Sequence, residues 1–129
     1  MYQLSSNLTQ DSLLQEFLDT LPLKYRTIMA IAYFTSSKIT DILSLKISDI
    51  YPDKIAINHS ESEQTQLVPI TSLLRPYLTL YLNGFCQQKS EFIFGDTRGE
   101  PLQIGKVFRV LNLVARQINL PEIYLFILK

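Results

Sequence analysis

The stretch Thr35-Ser36-Ser37-Lys38-Ile39-Thr40-Asp41-Ile42-Leu43-Ser44-Leu45 decides how the rest of the chain is read. Its first three residues carry short hydroxyl side chains, which compete for backbone hydrogen bonds and favour turns over helix interiors. Apolar residues then return at Ile39, Ile42, Leu43 and Leu45, the spacing of a short helix over residues 38–45. Upstream, Pro22 stands where a helix would begin, because its fixed φ suits a first turn. Residues 23–34 follow, with Tyr25, Ile28, Met29, Ala32 and Tyr33 spaced as the buried side of that helix. An earlier helix is predicted through about residue 19, capped by Asp11 or Ser12, with Leu13, Leu14, Phe17 and Leu18 on one face. Residues 1–10 are polar and read as frayed or extended.

Downstream, Pro52 marks a turn over residues 49–53. Ile55-Ala56-Ile57 reads as a strand, and Leu67-Val68-Pro69-Ile70 as its returning partner, with proline at an edge or a strand end. The polar run from His59 to Gln66 then forms a long hairpin tip. Thr71 or Ser72 caps a helix running to about Phe85, with Leu74, Tyr77, Leu78, Tyr81 and Leu82 inward. Phe92-Ile93-Phe94 reads as a short strand or extended plug, and residues 95–101 as a loop. A last helix spans 103–118 with Val107, Leu111, Val114, Ala115 and Ile118 on one face, stopped by Asn119 and Pro121. The fold class is α+β: mostly α-helical, with a small antiparallel β-hairpin, in a single domain over 1–129.

Composition narrows the function. At 47% hydrophobic and 19% charged residues, the chain can build a core, so wholesale disorder is excluded. Twelve Lys+Arg balance twelve Asp+Glu, which excludes nucleic-acid binding by bulk charge and leaves a basic face offset by an acidic one. A single cysteine, Cys86, excludes an internal disulfide, and a single histidine, His59, excludes His-pair metal motifs. No triad, Gly-rich phosphate loop or metal spacing is present, so no metal and no cofactor are expected. The N-terminus lacks the basic and apolar regions of a signal peptide, and no run reaches the ~20 apolar residues of a membrane span, so a cytoplasmic protein without a membrane partner is expected.

Four stretches together resemble the catalytic domain of tyrosine recombinases, the phage-integrase family, over residues 20–129. They are Leu21-Pro22-Leu23-Lys24-Tyr25-Arg26 into Ala32-Tyr33-Phe34-Thr35; the opening stretch followed by Ser48-Asp49-Ile50, where the family has T-G-L-R-i-s-E-l-l-x-L and a D-I pair; the hairpin returning at Val68-Pro69-Ile70, where the family has "vPl"; and Phe92-Ile93-Phe94 with the helix after it. The resemblance implies site-specific DNA integration and recombination, in which a tyrosine hydroxyl attacks a DNA phosphate. Two arginines grip the phosphate, because the guanidinium fork matches it bidentately, while a lysine and a histidine assist with charge and protons.

The matched positions depart from that pattern. The first arginine position holds Lys38, and the family's lysine position on the hairpin holds Glu61, a carboxylate that repels phosphate. The H-x-x-R box falls on Phe126 and Lys129, or in another register on Tyr124 and Ile127. Tyr124 lies on the wrong side of the box to be the nucleophile, and the 129 residues end before the family's nucleophile segment. The expectation is a truncated, degenerate relative that does not cleave DNA alone, with no catalytic residue intact. Lys38, Lys106, Arg109 and Lys129 are the candidate DNA contacts, with Arg116 on the same helix side as Lys106 and Arg109. Asp41 stands in for the family's glutamate and is expected to orient the short helix or its basic neighbour, while His59 reads as a surface loop histidine.

Two other readings stand beside this one. The segments 21–26, Tyr33-Phe34 and 40–43 also resemble the helix-turn-helix region of bacterial sigma factors, with residues 44–48 as the recognition stretch and mainly Lys46 to read bases. Alternatively, Leu125, Phe126, Ile127 and Leu128 form an apolar tail suited to self-association or a protein partner.

Overall fold

The structure, a computed structural model, describes residues 14–85 and 91–118. Helix α1 covers residues 14–20. It is followed by α2 (Leu23–Thr35), α3 (Ile39–Leu43), a 3-10 turn (Ile47–Asp49), β1 (Lys54–His59), β2 (Gln64–Pro69), α4 (Arg75–Phe85) and α5 (Ile104–Gln117). The architecture is α+β, helices packed on one another with a two-stranded antiparallel sheet beside α3. Among the described residues no helix is long and apolar enough to cross a membrane.

Helix α2 is the centre. Residues Thr27, Ile28, Met29, Ala30, Ile31 and Ala32 are all buried, so this helix has no solvent face over its middle. The reason is that α3, α4 and α5 all pack against it. Burying the Thr27 hydroxyl is tolerated because it donates to the Leu23 carbonyl at 2.8 Å. Pro22 precedes the first turn as expected, while Tyr33, expected inward, is exposed at the edge of the helix. On α1, Phe17 and Leu18 are buried and Leu14 packs against the core. Amphipathic α5 closes the other side through Val107, Leu111, Val114 and Ala115, one stripe at helical spacing.

The short helix is shorter than the sequence pattern suggests. Lys38 is its N-cap and Leu45 lies beyond its end, although Leu45 is still buried. Residues 44–48 form no recognition helix: Lys46 bridges to Phe92 and the 3-10 turn begins at Ile47. That removes the element a helix-turn-helix reader would place in the major groove.

The hairpin pairs Ile55 with Val68 and Ile57 with Gln66, and Pro69 takes the last strand position, where no ladder donor is lost. Its tip is short, because polar residues continue both strands as far as His59 and Gln64. The turn closes with Glu63 in a left-handed conformation, φ 56°, its N–H donating to the His59 carbonyl at 2.8 Å. Helix α4 begins at Arg75, later than the capping residues suggest. Residues 72–74 first form a turn in which the Thr71 hydroxyl accepts from Leu74 N–H at 3.3 Å.

Phe92-Ile93-Phe94 is not a strand. An isolated bridge at Phe92 leads into a turn, and the segment is stitched between two others. Ile47 N–H donates to Glu91 at 2.9 Å, Ile93 N–H to Leu45 at 3.1 Å, and Leu102 N–H to Phe94 at 3.0 Å. Phe94 stacks on Tyr81 with ring centroids 5.2 Å apart, and the buried Tyr81 hydroxyl donates to the Ile93 carbonyl at 2.7 Å. Tyr81→Phe is expected to cost about 1–3 kcal/mol, the usual loss when a buried acceptor is orphaned, measured by urea unfolding.

The loop after it is held by Asp96, whose carboxylate accepts from Arg98 N–H at 2.8 Å and Glu100 N–H at 3.0 Å. These backbone donors, Glu100 first, hold the carboxyl below the usual carboxylate range. A group with a lowered folded-state value contributes stability at neutral pH that is lost as pH falls through that value. Stability is therefore expected to fall as pH drops below the ordinary aspartate value of about 4, and the fall to shrink in Asp96→Asn, measured by urea unfolding at falling pH.

Candidate functional site

The site is built where α2 ends. Ser36 caps the helix in the left-handed region, φ 57° and ψ 32°. The Thr35 hydroxyl donates to the Ile31 carbonyl at 2.6 Å and shares a hydrogen bond with Ser37 Oγ at 2.7 Å. The reversal delivers Lys38 to the start of α3 in an extended conformation, with its carbonyl accepting from Asp41 and Ile42 N–H, both at 3.1 Å. The side chain of Lys38 then projects into solvent, where its Nζ lies 2.6 Å from Glu61 Oε1. The sequence marks these two residues as separate departures; the fold brings them into one ion pair.

Asp41 explains how the hairpin tip is brought there. It is the one charged residue among the buried residues of α3, at 4% exposure. Its Oδ1 accepts from the Ser60 backbone N–H at 3.3 Å and from the Ser60 hydroxyl at 3.1 Å. Its Oδ2 lies 3.3 Å from His59 Nδ1. A buried carboxylate is costly without such partners. Asp41 therefore latches the tip onto α3, and Glu61 follows the latched Ser60 directly. The latch thus carries Glu61 to the basic neighbour of the short helix, Lys38.

His59 is a correction. It is not a loop histidine but the last residue of β1, paired with Asp41 on one ring nitrogen and 2.8 Å from Gln66 Oε1 on the other. The sequence held a signal for this. Ile55, Ile57 and His59 alternate on one strand face, and the first two are fully buried.

The other candidate contacts lie on α5. Lys106, Arg109 and Arg116 are all exposed, as their positions on the polar side of the helix imply. Near the start of α5, Lys24 donates to the Gly95 carbonyl at 2.7 Å. Burial and then the charge of Lys106 lower the pKa of Lys24, with Asp96 opposing. Helix α5 packs against both α2 and α3, so this basic end belongs to the same body as Lys38. Lys46, the main base-reading candidate of the alternative reading, lies 3.8 Å from Glu91 and over the Phe92 ring. Cys86, Asn119, Pro121, Tyr124, Phe126 and Lys129 lie outside the described residues, as do the apolar tail 125–128, residues 1–10 and the caps at Asp11 and Ser12. No group of three or more His, Cys, Asp or Glu side chains able to hold a metal ion occurs among the described residues.

No family model matches the chain, and comparison with curated proteins gives no match. Solved structures do match. The lambda integrase catalytic core superposes with a TM-score of 0.64 at 21% identity, covering 80% of this chain and 67% of that one. A lambda integrase tetramer bound to a Holliday junction gives 0.62 at 22% identity, over 80% of this chain and 32% of that one. XerA recombinase gives 0.74 at 13% identity, over 88% and 45%. The chain thus spans about a third of the integrase seen in the tetramer and two thirds of the catalytic core. At these identities the likeness is one of fold. The order of elements, the hairpin beside the short helix and the solved neighbours together establish a tyrosine-recombinase catalytic-domain-like fold.

Proposed function

We propose that this chain is a non-catalytic relative of site-specific DNA recombinases that binds duplex DNA through phosphate contacts at Lys38, Lys106 and Arg109. The observation that carries this reading is the placement of Lys38. It stands at the turn into α3 beside the hairpin tip, on a fold that solved recombinases share, and its charged end is exposed. Lys129, the fourth candidate from the sequence, lies outside the described residues and is not counted among these contacts.

Absence of cleavage follows from residue types. A lysine presents a point charge where the resemblance implies a planar, bidentate guanidinium. Glu61 brings a negative charge to the position of an assisting lysine, and Phe126 cannot move a proton. Losing one transition-state donor costs about 10²–10³ in rate, and several positions are changed at once. No covalent adduct is expected on a nicked duplex.

The test is fluorescence anisotropy of a labelled duplex at two salt concentrations. Three phosphate contacts give a salt slope of about −2.7, so affinity is expected to fall about 40-fold between 50 and 200 mM salt. Lys38→Ala, like Lys106→Ala or Arg109→Ala, is expected to weaken binding and to reduce the slope by about 0.9. No binding at low salt, or slopes unchanged by all three substitutions, would overturn the reading.

A further inference from the structure

We propose that Glu61 is a tethered competitor that occupies Lys38 until a DNA phosphate displaces it, so that the hairpin tip gates the same site; this rests on the DNA-binding reading above. The geometry is specific. Glu61 Oε1 lies 2.6 Å from Lys38 Nζ, the distance of a charge-assisted hydrogen bond. The carboxylate does not reach that position by chance of a mobile loop. Its neighbour Ser60 is fixed to the buried Asp41 through both backbone N–H and hydroxyl, and the turn is closed behind it by Glu63 N–H on the His59 carbonyl. A group held in this way acts at an effective concentration in the millimolar range, far above that of a dilute ligand.

The strength of the gate follows from exposure. The two side chains are 58% and 77% exposed, so the pair is solvent-screened and worth little by itself. It therefore attenuates binding instead of abolishing it. A single dilute small anion competes with a carboxylate already held beside the lysine and is disfavoured. A duplex that also engages Lys106 and Arg109 brings several phosphates at once and displaces it. The gate thus selects a polyanionic backbone over free phosphate.

A double-substitution cycle tests this, with duplex affinity measured at low salt for the unmodified chain, Glu61→Gln, Lys38→Ala and the double variant. All four keep the Asp41 latch, and both changed side chains are exposed, so the fold is not at stake. Glu61→Gln is expected to tighten binding about three- to fivefold when Lys38 is present and less than about 1.5-fold in the Lys38→Ala background. The gain is expected to shrink as salt rises, because an exposed pair is screened. Equal tightening in both backgrounds would overturn the gate, since Glu61 would then act only by general repulsion; no tightening would overturn it too. Both results leave DNA binding standing, whereas no binding by any of the four proteins would overturn the DNA reading and the gate with it.

Discussion

Phe94→Ala is expected to destabilise the chain by about 3–5 kcal/mol, the upper range for an aromatic removed from a core. Phe94 is fully buried and stacked on Tyr81. The cost depends on how far neighbours can collapse into the space. Here they are held: Ile93 by hydrogen bonds to Leu45 and from Tyr81, Leu102 by its bond to the Phe94 carbonyl. A cavity would therefore persist. A single domain is stable by only about 5–15 kcal/mol, so this one change removes a large share. Urea unfolding is expected to show a lower midpoint with an unchanged slope. A loss below about 1 kcal/mol would mean that the segment around residue 93 is not part of the core.

Asp41→Ala carries the second large effect, about 1–3 kcal/mol together with local loosening of the hairpin tip. Three donors lose their acceptor: Ser60 N–H, the Ser60 hydroxyl and His59 Nδ1. Water replaces part of this, because Ser60 is exposed, which keeps the loss within that range. Asp41→Asn keeps the oxygen that serves Ser60 but turns an amide toward His59, and is expected to recover part of the loss. The distinguishing readout is hydrogen exchange. The Ser60 amide is expected to lose protection in Asp41→Ala while amides in the middle of α5 keep theirs. Unchanged protection at Ser60 would show that the buried carboxylate does not hold the tip.

The sequence is most legible where apolar periodicity is strong. Val107, Leu111, Val114 and Ala115 mark α5, and Pro22 marks the entry to α2, because burial and proline geometry act locally. It is least legible where tertiary contacts decide. Phe92-Ile93-Phe94 has the composition of a strand, yet its backbone partners are the loops at 45–47 and 101–102 instead of a sheet edge. The hairpin is longer than its apolar residues indicate, since Asn58 and Thr65 extend the ladder with a side-chain hydrogen bond of their own.

At the site, residue identities were readable but their relations were not. Lys38 and Glu61 stand far apart in sequence, and only the latch through Asp41 and Ser60 makes them partners. His59 reads as a loop residue because polar residues at a strand end resemble a loop, although its parity with Ile55 and Ile57 points inward.

The central claim is that a recombinase-like fold presents a phosphate-binding face at Lys38 and along α5. Backbone amide NMR of the chain, titrated with a duplex at low salt, tests it most directly. The account predicts shifts concentrated at Ser37, Lys38, Ser60 and Glu61 and at Lys106 and Arg109. Spectra unchanged by the duplex, or shifts confined to the exposed apolar residues Leu73 and Leu80 and their neighbours, would contradict it.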